Sequence, residues 1–391
     1  MRHAWLLILA IVLVCGGPGL RPSGAAEPVK IGLAAAVSGG SAASGEAIKR
    51  GIQIAMDELN AKGGVLGGRK FELVIRDDEG DPSKGLKISR ELVEREKAVV
   101  VFGGLHTTVA LAEVPLWTEL KHPYMGPWAA GTEIAQNAQK PNYVFRVSAN
   151  DDYADRFLVR YATEVLKKSK PGLLLENTAW GQSNEAGLTK WLASKNLKPV
   201  GIEKFNWGDP DMSPQLLRLK NAGADHVILV ANAPEGAQVV KSRAKIGWEI
   251  PMVSHWGISG GRFAELTGDL SDGVVFLQTY SFFGKQNERG QAVLKALKDK
   301  YGVKGPEDVI APVGTANAYD GMHLVALAIE QAGSTDGAKV RDALENLKAE
   351  YKGLIKTYKP PFTAEQHDAL TDEDYIMVVW KGGKIVPVAA K

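Results

Sequence analysis

The sequence predicts an α/β protein of two similar lobes, each a mostly parallel sheet flanked by helices. Three observations lead there. Short apolar runs of strand length alternate with segments of helical periodicity, at the spacing of right-handed βαβ crossovers. The alternation comes as two successive series, then return helices and a terminal hairpin, with no glycine- or proline-rich linker between halves. Several strands stop at loops of small residues that open straight into a helix, the pattern of the carboxyl edge of a parallel sheet.

The chain opens with Arg2 and His3 before an apolar run, residues 6–14. That length suits the apolar region of an export signal and is too short to span a bilayer. Ser23, Gly24, Ala25 and Ala26 offer small residues for cleavage, so residues 1–26 are expected to be removed and the mature chain to start near Glu27. The one cysteine, Cys15, lies inside this segment, preceded by Val14 rather than the small residue of a lipoprotein signal. The mature chain thus has no thiol for a disulfide, a metal or catalysis. No later segment is long and apolar enough for a membrane helix, and an exported soluble protein is expected.

Residues 29–36 read as a buried strand, ending in a loop from Val37 to Gly45 that includes Ser44. Residues 47–61 place Ile48, Ile52, Ala55, Met56 and Leu59 on one helical face, stopped by Gly63 and Gly64. Strand 71–75 runs into the acidic turn from Asp77 to Pro82, and helix 83–96 follows. The second series runs through helix 155–168, strand 172–176, a helix to Lys195, strand 198–205, helix 213–221, strand 226–230, helix 236–246 and strand 251–255. Strand 273–278 leaves this series; 288–300, 317–332 and 339–346 are helices. Strand 376–380 and the turn Lys381, Gly382, Gly383, Lys384 signal a hairpin.

The stretch 99–135 organises the site. Strand 99–102 ends in Gly103 and Gly104; His106, Thr107 and Thr108 then open a helix. A second short run, 123–125, ends in Gly126, Pro127, Trp128, Ala129, Ala130, Gly131 and Thr132, and another helix follows. Helix starts offer unpaired N–H groups and a partial positive charge suited to a small anion, and small residues let a ligand approach the backbone. In the second series the equivalent loops carry Trp180, Asn232 and Trp256.

Composition narrows the alternatives. The chain of 391 residues is 45% apolar and 24% charged with net charge +2, an ordinary globular balance. No basic cluster alternates with aromatics, so no nucleic-acid partner is expected. No metal-ligand spacing is present, and Gly67, Gly68 and Arg69 lack the rest of a phosphate loop, so no cofactor or metal is expected. Gly257, Ile258, Ser259, Gly260 and Gly261 match the G-x-S-x-G pattern of a hydrolase elbow after a strand. Its partners would have to be Asp320 with His323, or either with His367. Asp320 and His323 share one helix a turn apart, which argues against their convergence on Ser259.

Several stretches resemble the type I periplasmic solute-binding proteins of the branched-chain amino-acid family, receptors of ABC importers. They are Val29, Lys30, Ile31, Gly32 with Val37, Ser38, Gly39; Gly51 to Asn60 followed by Gly63 to Gly68; Arg76, Asp77, Asp78 with Asp81, Pro82; and Pro127 to Glu133. Phe145, Arg146 with Asn150, Asp151, then Trp180, Gly181, and finally Ala318 to Gly321 with Ala332 to Ser334 continue the series over the mature chain. The resemblance implies lobe 1 from 27–148 plus 280–350 and lobe 2 from 149–279 plus 351–391. Three hinge crossovers would lie near 148–151, 278–281 and 348–353. It further implies a periplasmic monomer without catalysis, closing on a ligand between the lobes and delivering it to a membrane permease.

The departures from the family bear on the ligand. Thr107 can fill the place of the hydroxyl that holds an amino-acid carboxylate, but Ala130 stands where a second hydroxyl is usual. Trp256 stands where an acidic residue typically pairs with the ammonium, Ser44 where an aromatic is usual, and Trp180 where a tyrosine is usual. A buried ammonium without an anionic partner is costly. The expectation is therefore a small aromatic or apolar carboxylate. Thr107, Thr108 and the backbone of Ala129 and Ala130 would hold it, Trp128, Trp180 and Trp256 would wall it, and Asn232 and His106 would orient it. A branched-chain amino acid is the alternative, and returns if Glu235 points inward. A cation caged by tryptophans, a role for His255 in the cleft, and a periplasmic sensor rather than a transport receptor are the remaining readings.

Overall fold

The structure is a computed structural model and describes residues 27–388. The export segment 1–26, with Cys15, lies outside the described residues. The first strand, β1 (Val29–Ala35), is buried at every position but Lys30, as a strand covered by helices on both faces must be. With β2 (Phe71–Asp77), β3 (Val100–Phe102), β4 (Tyr124–Gly126) and β5 (Val144–Arg146) it forms a parallel sheet in the order β2-β1-β3-β4-β5. Between these strands run α1 (Ala42–Ala61), α2 (Pro82–Glu94), α3 (Thr107–Leu120) and α4 (Thr132–Ala135).

The second sheet repeats the plan. β6 (Pro171–Glu176), β7 (Gly201–Phe205), β8 (His226–Val230), β9 (Met252–Ser254) and β10 (Val275–Gln278) are parallel in the order β7-β6-β8-β9-β10. Their helices are α5 (Asp151–Arg160), α6 (Ala179–Ser194), α7 (Ser213–Asn221), α8 (Ala233–Lys245) and the short α9 (Phe263–Thr267). The chain then returns through α10 (Glu288–Tyr301), α11 (Pro312–Ala332) and α12 (Gly337–Glu345), makes a small antiparallel pair, β11 (Tyr351–Lys352) and β12 (Thr357–Tyr358), and ends in the expected hairpin. That hairpin, β13 (Ile376–Lys381) and β14 (Lys384–Pro387), joins the second sheet antiparallel beside β10.

Local chemistry sets the helix starts. Asp81 caps α2 by accepting the Lys84 N–H at 2.9 Å, with Pro82 in the first helical position. Asn150 caps α5 by accepting from the Asp152 N–H at 2.9 Å, so this helix begins four residues before the apolar periodicity shows. α1 likewise begins at Ala42, which puts Ser44 inside a helix rather than in a loop. The α1–α11 crossing is close: a Cβ added at Gly51 would stand 2.2 Å from the Thr315 carbonyl oxygen.

One crossover needs correcting. The sequence places the third passage near 348–353, yet the chain stays with the first sheet well beyond it. Tyr351, Leu354, Ile355 and Tyr358 all donate to the buried Asp320 carboxylate of α11. Residues 367–369 then pair with the edge of β5, the Arg146 N–H donating to the His367 carbonyl and the Ala369 N–H to the Arg146 carbonyl, both at 2.9 Å. The passage to the second sheet comes after Ala369. Its determinant is the charge of Asp320, which gathers donors distant in sequence.

Candidate functional site

The carboxyl edges of the two sheets face each other. Between them lies a narrow pocket lined by Leu105, His106, Thr107, Thr108, Trp128, Ala130, Glu176, Thr178, Trp180, Trp207, Asn232, Trp256 and Gly257. The loops after β3 and β4 supply one wall; those after β6, β7, β8 and β9 supply the other. The walls meet: the Trp128 and Trp256 rings lie 5.6 Å apart between centroids, and His106 meets Trp207 edge-on at 5.5 Å. The cleft is closed.

The first-sheet wall is built around the start of α3. The Ala110 N–H is taken by the His106 carbonyl, while the N–H groups of Thr107 and Thr108 have no partner among the described residues. The Thr107 hydroxyl oxygen accepts the Gly131 N–H at 3.2 Å, which ties the two loops together and leaves its own proton to donate. The Ala130 N–H is also without a partner among the described residues, and its carbonyl accepts the Asp151 N–H at 2.8 Å. His106 is held by a 3.2 Å bond between Nε2 and the Ser41 hydroxyl. Burial pushes this imidazole down to about 4, so it is neutral near pH 7. Behind the wall, the fully buried Arg146 donates to the Gly131 carbonyl at 2.7 Å and pairs with Asp368 at 2.5 Å.

The second-sheet wall is built around Glu176, the last residue of β6, which is only 1% exposed. Its Oε1 accepts the Asn232 N–H at 2.5 Å; its Oε2 accepts the Trp207 indole N–H at 2.9 Å and the Asn232 amide at 3.3 Å. Burial pushes the carboxyl up to about 7 against these bonds, and the nearby Glu235 adds to the rise. Trp180 is fixed from behind, its indole N–H donating to Asp151 Oδ1 at 3.1 Å. The arrangement can bury, stack and hydrogen-bond a small anion whose charge sits at the α3 start.

The comparisons with known proteins agree with this plan. The periplasmic binding protein family matches residues 28–384. The chain belongs to that family. Among relatives of this periplasmic binding protein, the Leu/Ile/Val-binding protein homolog 2 of Brucella abortus is 27% identical, with 91% of each chain covered. A periplasmic binding protein type 1 from Bordetella pertussis superposes with a TM-score of 0.84 at 25% identity, covering 93% of this chain and 100% of the other. A solute-binding protein of an ABC transporter from R. palustris, solved in complex with 4-hydroxybenzoate, superposes with a TM-score of 0.78 at 20% identity, covering 93% and 96%. The two-lobed α/β fold and the solute-receptor class expected from the sequence are those of this family.

The structure brings His106, Thr107, Thr108, Trp128, Ala130, Trp180, Asn232 and Trp256 of this binding protein to one cavity. Two expected residues are elsewhere. Ser44 is buried in α1, where its hydroxyl donates to the Ser41 carbonyl at 2.6 Å. Ala129 turns its methyl into the first sheet's core, and its N–H donates to the Gly104 carbonyl at 3.1 Å, so it has no donor left for an anion. Glu235 and His255 do not line the cavity: Glu235 accepts the Gly208 N–H at 3.4 Å, and His255 Nδ1 accepts the Trp256 N–H at 2.8 Å. The elbow reading of Ser259 also gives way. Its hydroxyl donates to the Trp256 carbonyl in a tight turn, while His323 stacks on Tyr351 and His367 bonds Glu345 and the Val144 carbonyl.

Glu176, Thr178 and Trp207 were missed by sequence reasoning. An acidic residue ending an otherwise apolar strand is a signal that could have found Glu176. Trp207, 45% exposed, follows an ordinary β7 strand and is recruited by its bond to Glu176 and its edge-on contact with His106.

Proposed function

We propose that this protein is the exported receptor of an ABC importer and closes on a small aromatic carboxylate. The observation that carries the reading is the cavity itself: a small chamber walled by Trp128, Trp180, Trp207 and Trp256, with its open N–H groups at the start of α3. Indole walls favour a flat ligand. The carboxylate sits at Thr107, Thr108 and the Ala130 N–H; His106 and Asn232 orient the ring. An α-amino acid is disfavoured because the acidic group on this wall, Glu176, already accepts three bonds and has room for at most one more. The fold accommodates such acids, as the R. palustris protein with 4-hydroxybenzoate illustrates.

In this reading residues 1–26 are the export signal and the mature monomer works in the periplasm. Residues 27–148 with 280–369 form one lobe, the remainder the other, and a permease pair recognises the closed form. Ligand stabilises closure by touching both lobes.

A thermal-shift screen of residues 27 onward, with benzoates, phenylpropanoids, aliphatic acids, amino acids and quaternary ammonium compounds, tests the ligand class. A ligand that binds only the folded state raises the melting temperature. A shift with aromatic acids and none with leucine supports the reading. A shift with leucine or valine alone overturns it and assigns the role that the Brucella relative's name carries.

A further inference from the structure

Glu176 decides more than the shape of the wall. The starts of α3, from one lobe, and of α6 and α8, from the other, border the chamber, so each lobe presents helix N-termini that favour an anion. On the second-lobe side the protein fills that seat with its own carboxylate: Glu176 takes the N–H of Asn232, the residue that caps α8. Thr178 Oγ1 takes the Gly181 N–H at the start of α6, at 3.4 Å. With a carboxylate already on the second-lobe side, like-charge repulsion turns the ligand's own carboxylate toward the α3 start in lobe 1.

What meets Glu176 follows from its hydrogen-bond inventory. Each carboxylate oxygen accepts two bonds. Oε2 already accepts from Trp207 and Asn232, whereas Oε1 accepts one bond, from the Asn232 N–H. One acceptor position therefore remains inside an indole-walled chamber. An ammonium brings three donors and would leave two of them buried without partners, which is costly. A hydroxyl brings one.

We propose that Glu176 is a specificity-determining residue that selects a hydroxylated aromatic acid, its ring hydroxyl donating to Glu176 Oε1 while its carboxylate lies at the start of α3. This rests on the aromatic-carboxylate reading above and narrows it. An unsubstituted acid leaves Oε1 short of a partner and loses a hydrogen bond.

The test is calorimetry on the full mature chain with 3- and 4-hydroxybenzoate, benzoate, 4-fluorobenzoate and tyrosine. Fluorine approximates the size of the hydroxyl and cannot donate. One hydroxylated acid is expected to bind at least about tenfold tighter than benzoate and 4-fluorobenzoate. Glu176→Gln, which keeps the side-chain volume, is expected to shrink that ratio to about threefold or less. A purely structural role would weaken every acid alike and leave the ratio unchanged, and that result overturns the proposal. If the variant does not fold, the wild-type ratio decides: equal binding of hydroxy and fluoro acids overturns it, as does preference for tyrosine. Binding of unsubstituted acids as tightly as hydroxylated ones sinks this inference alone; binding of no aromatic acid sinks the parent reading with it.

Discussion

Replacing Gly260 by valine should obstruct closure without touching either lobe. Gly260 follows β9 in the second lobe, with φ −84° and ψ 1°, outside the left-handed region that demands glycine. A Cβ there would stand 2.5 Å from Leu105 Cδ1 and 3.4 Å from the Trp128 ring, both in the first lobe. Of the three nearest atoms, the one in its own lobe is the Gly257 carbonyl oxygen, at 3.3 Å. The added bulk therefore acts on the approach of the two walls. Leu105 is 6% exposed and has little room to yield, and valine adds two methyls beyond Cβ. Overpacking of this kind costs about 1–3 kcal/mol, which charged to the closed state alone lowers affinity roughly 5- to 150-fold. Calorimetry with the aromatic acid of largest thermal shift gives the affinity; a melt without ligand gives the stability. The expected outcome is weaker binding with an unchanged unliganded midpoint. Wild-type affinity would refute the reasoning, since the walls would not need this contact. An equal fall in the unliganded midpoint would refute it differently, by showing that Gly260 supports a lobe rather than closure.

Other perturbations reach different parts of the argument. Trp256→Glu places an unpaired charge in the chamber against Trp128 and should weaken binding of an apolar carboxylate by at least about tenfold; unchanged affinity by calorimetry would remove Trp256 from the site. Asp368→Ala strands the guanidinium of Arg146 in the interior and should destabilise the fold by about 3–5 kcal/mol in chemical denaturation. A loss under about 1 kcal/mol would show the pair to be no more than a surface-type contact. Glu113, fully buried with Ser89 donating to it at 2.7 Å, is pushed by burial up to about 8 from a usual 4.5. Between those values the unfolded chain has released its proton while the folded one keeps it, so stability falls as pH rises through the window. Glu113→Gln keeps the acceptor for Ser89 and should melt higher than wild type at pH 8, by up to about 3 kcal/mol near pH 7, with the gain vanishing toward pH 5. A gain that grows as pH falls would reverse the sign and end the argument.

Much of the fold was legible because its determinants are local. The apolar run 29–36, the acidic cap at Asp81 and the Lys381 to Lys384 turn each specify an element through neighbouring residues alone. Legibility failed where a distant partner decides. The Asp320 carboxylate holds residues 351–358, and β5 takes up 367–369, so the last crossover falls later than periodicity indicates. α1 starts at Ala42 although its apolar stripe begins at Ala47, which removed Ser44 from the loop to which sequence assigned it.

The site divides along the same line. Strand-end loops followed by helix starts are a one-dimensional pattern, and it identified His106, Thr107, Thr108, Trp128, Ala130, Trp180, Asn232 and Trp256, because a parallel sheet sends all such loops to one edge. The succession of two α/β series and a terminal hairpin was therefore determined by the sequence by itself, and the receptor family was legible in its resemblance. Which backbone donors remain open was decided only in three dimensions. Ala129 and Ala130 are indistinguishable in sequence, yet one N–H is taken by the Gly104 carbonyl and the other has no partner among the described residues. Glu176 fills the second-lobe anion seat only because β6 and β8 lie side by side, bringing a carboxylate within 2.5 Å of an N–H that is 56 residues away in sequence. Hydrogen-bond satisfaction is a property of the packed whole, so only the tertiary structure decided which end of the cleft receives a charge.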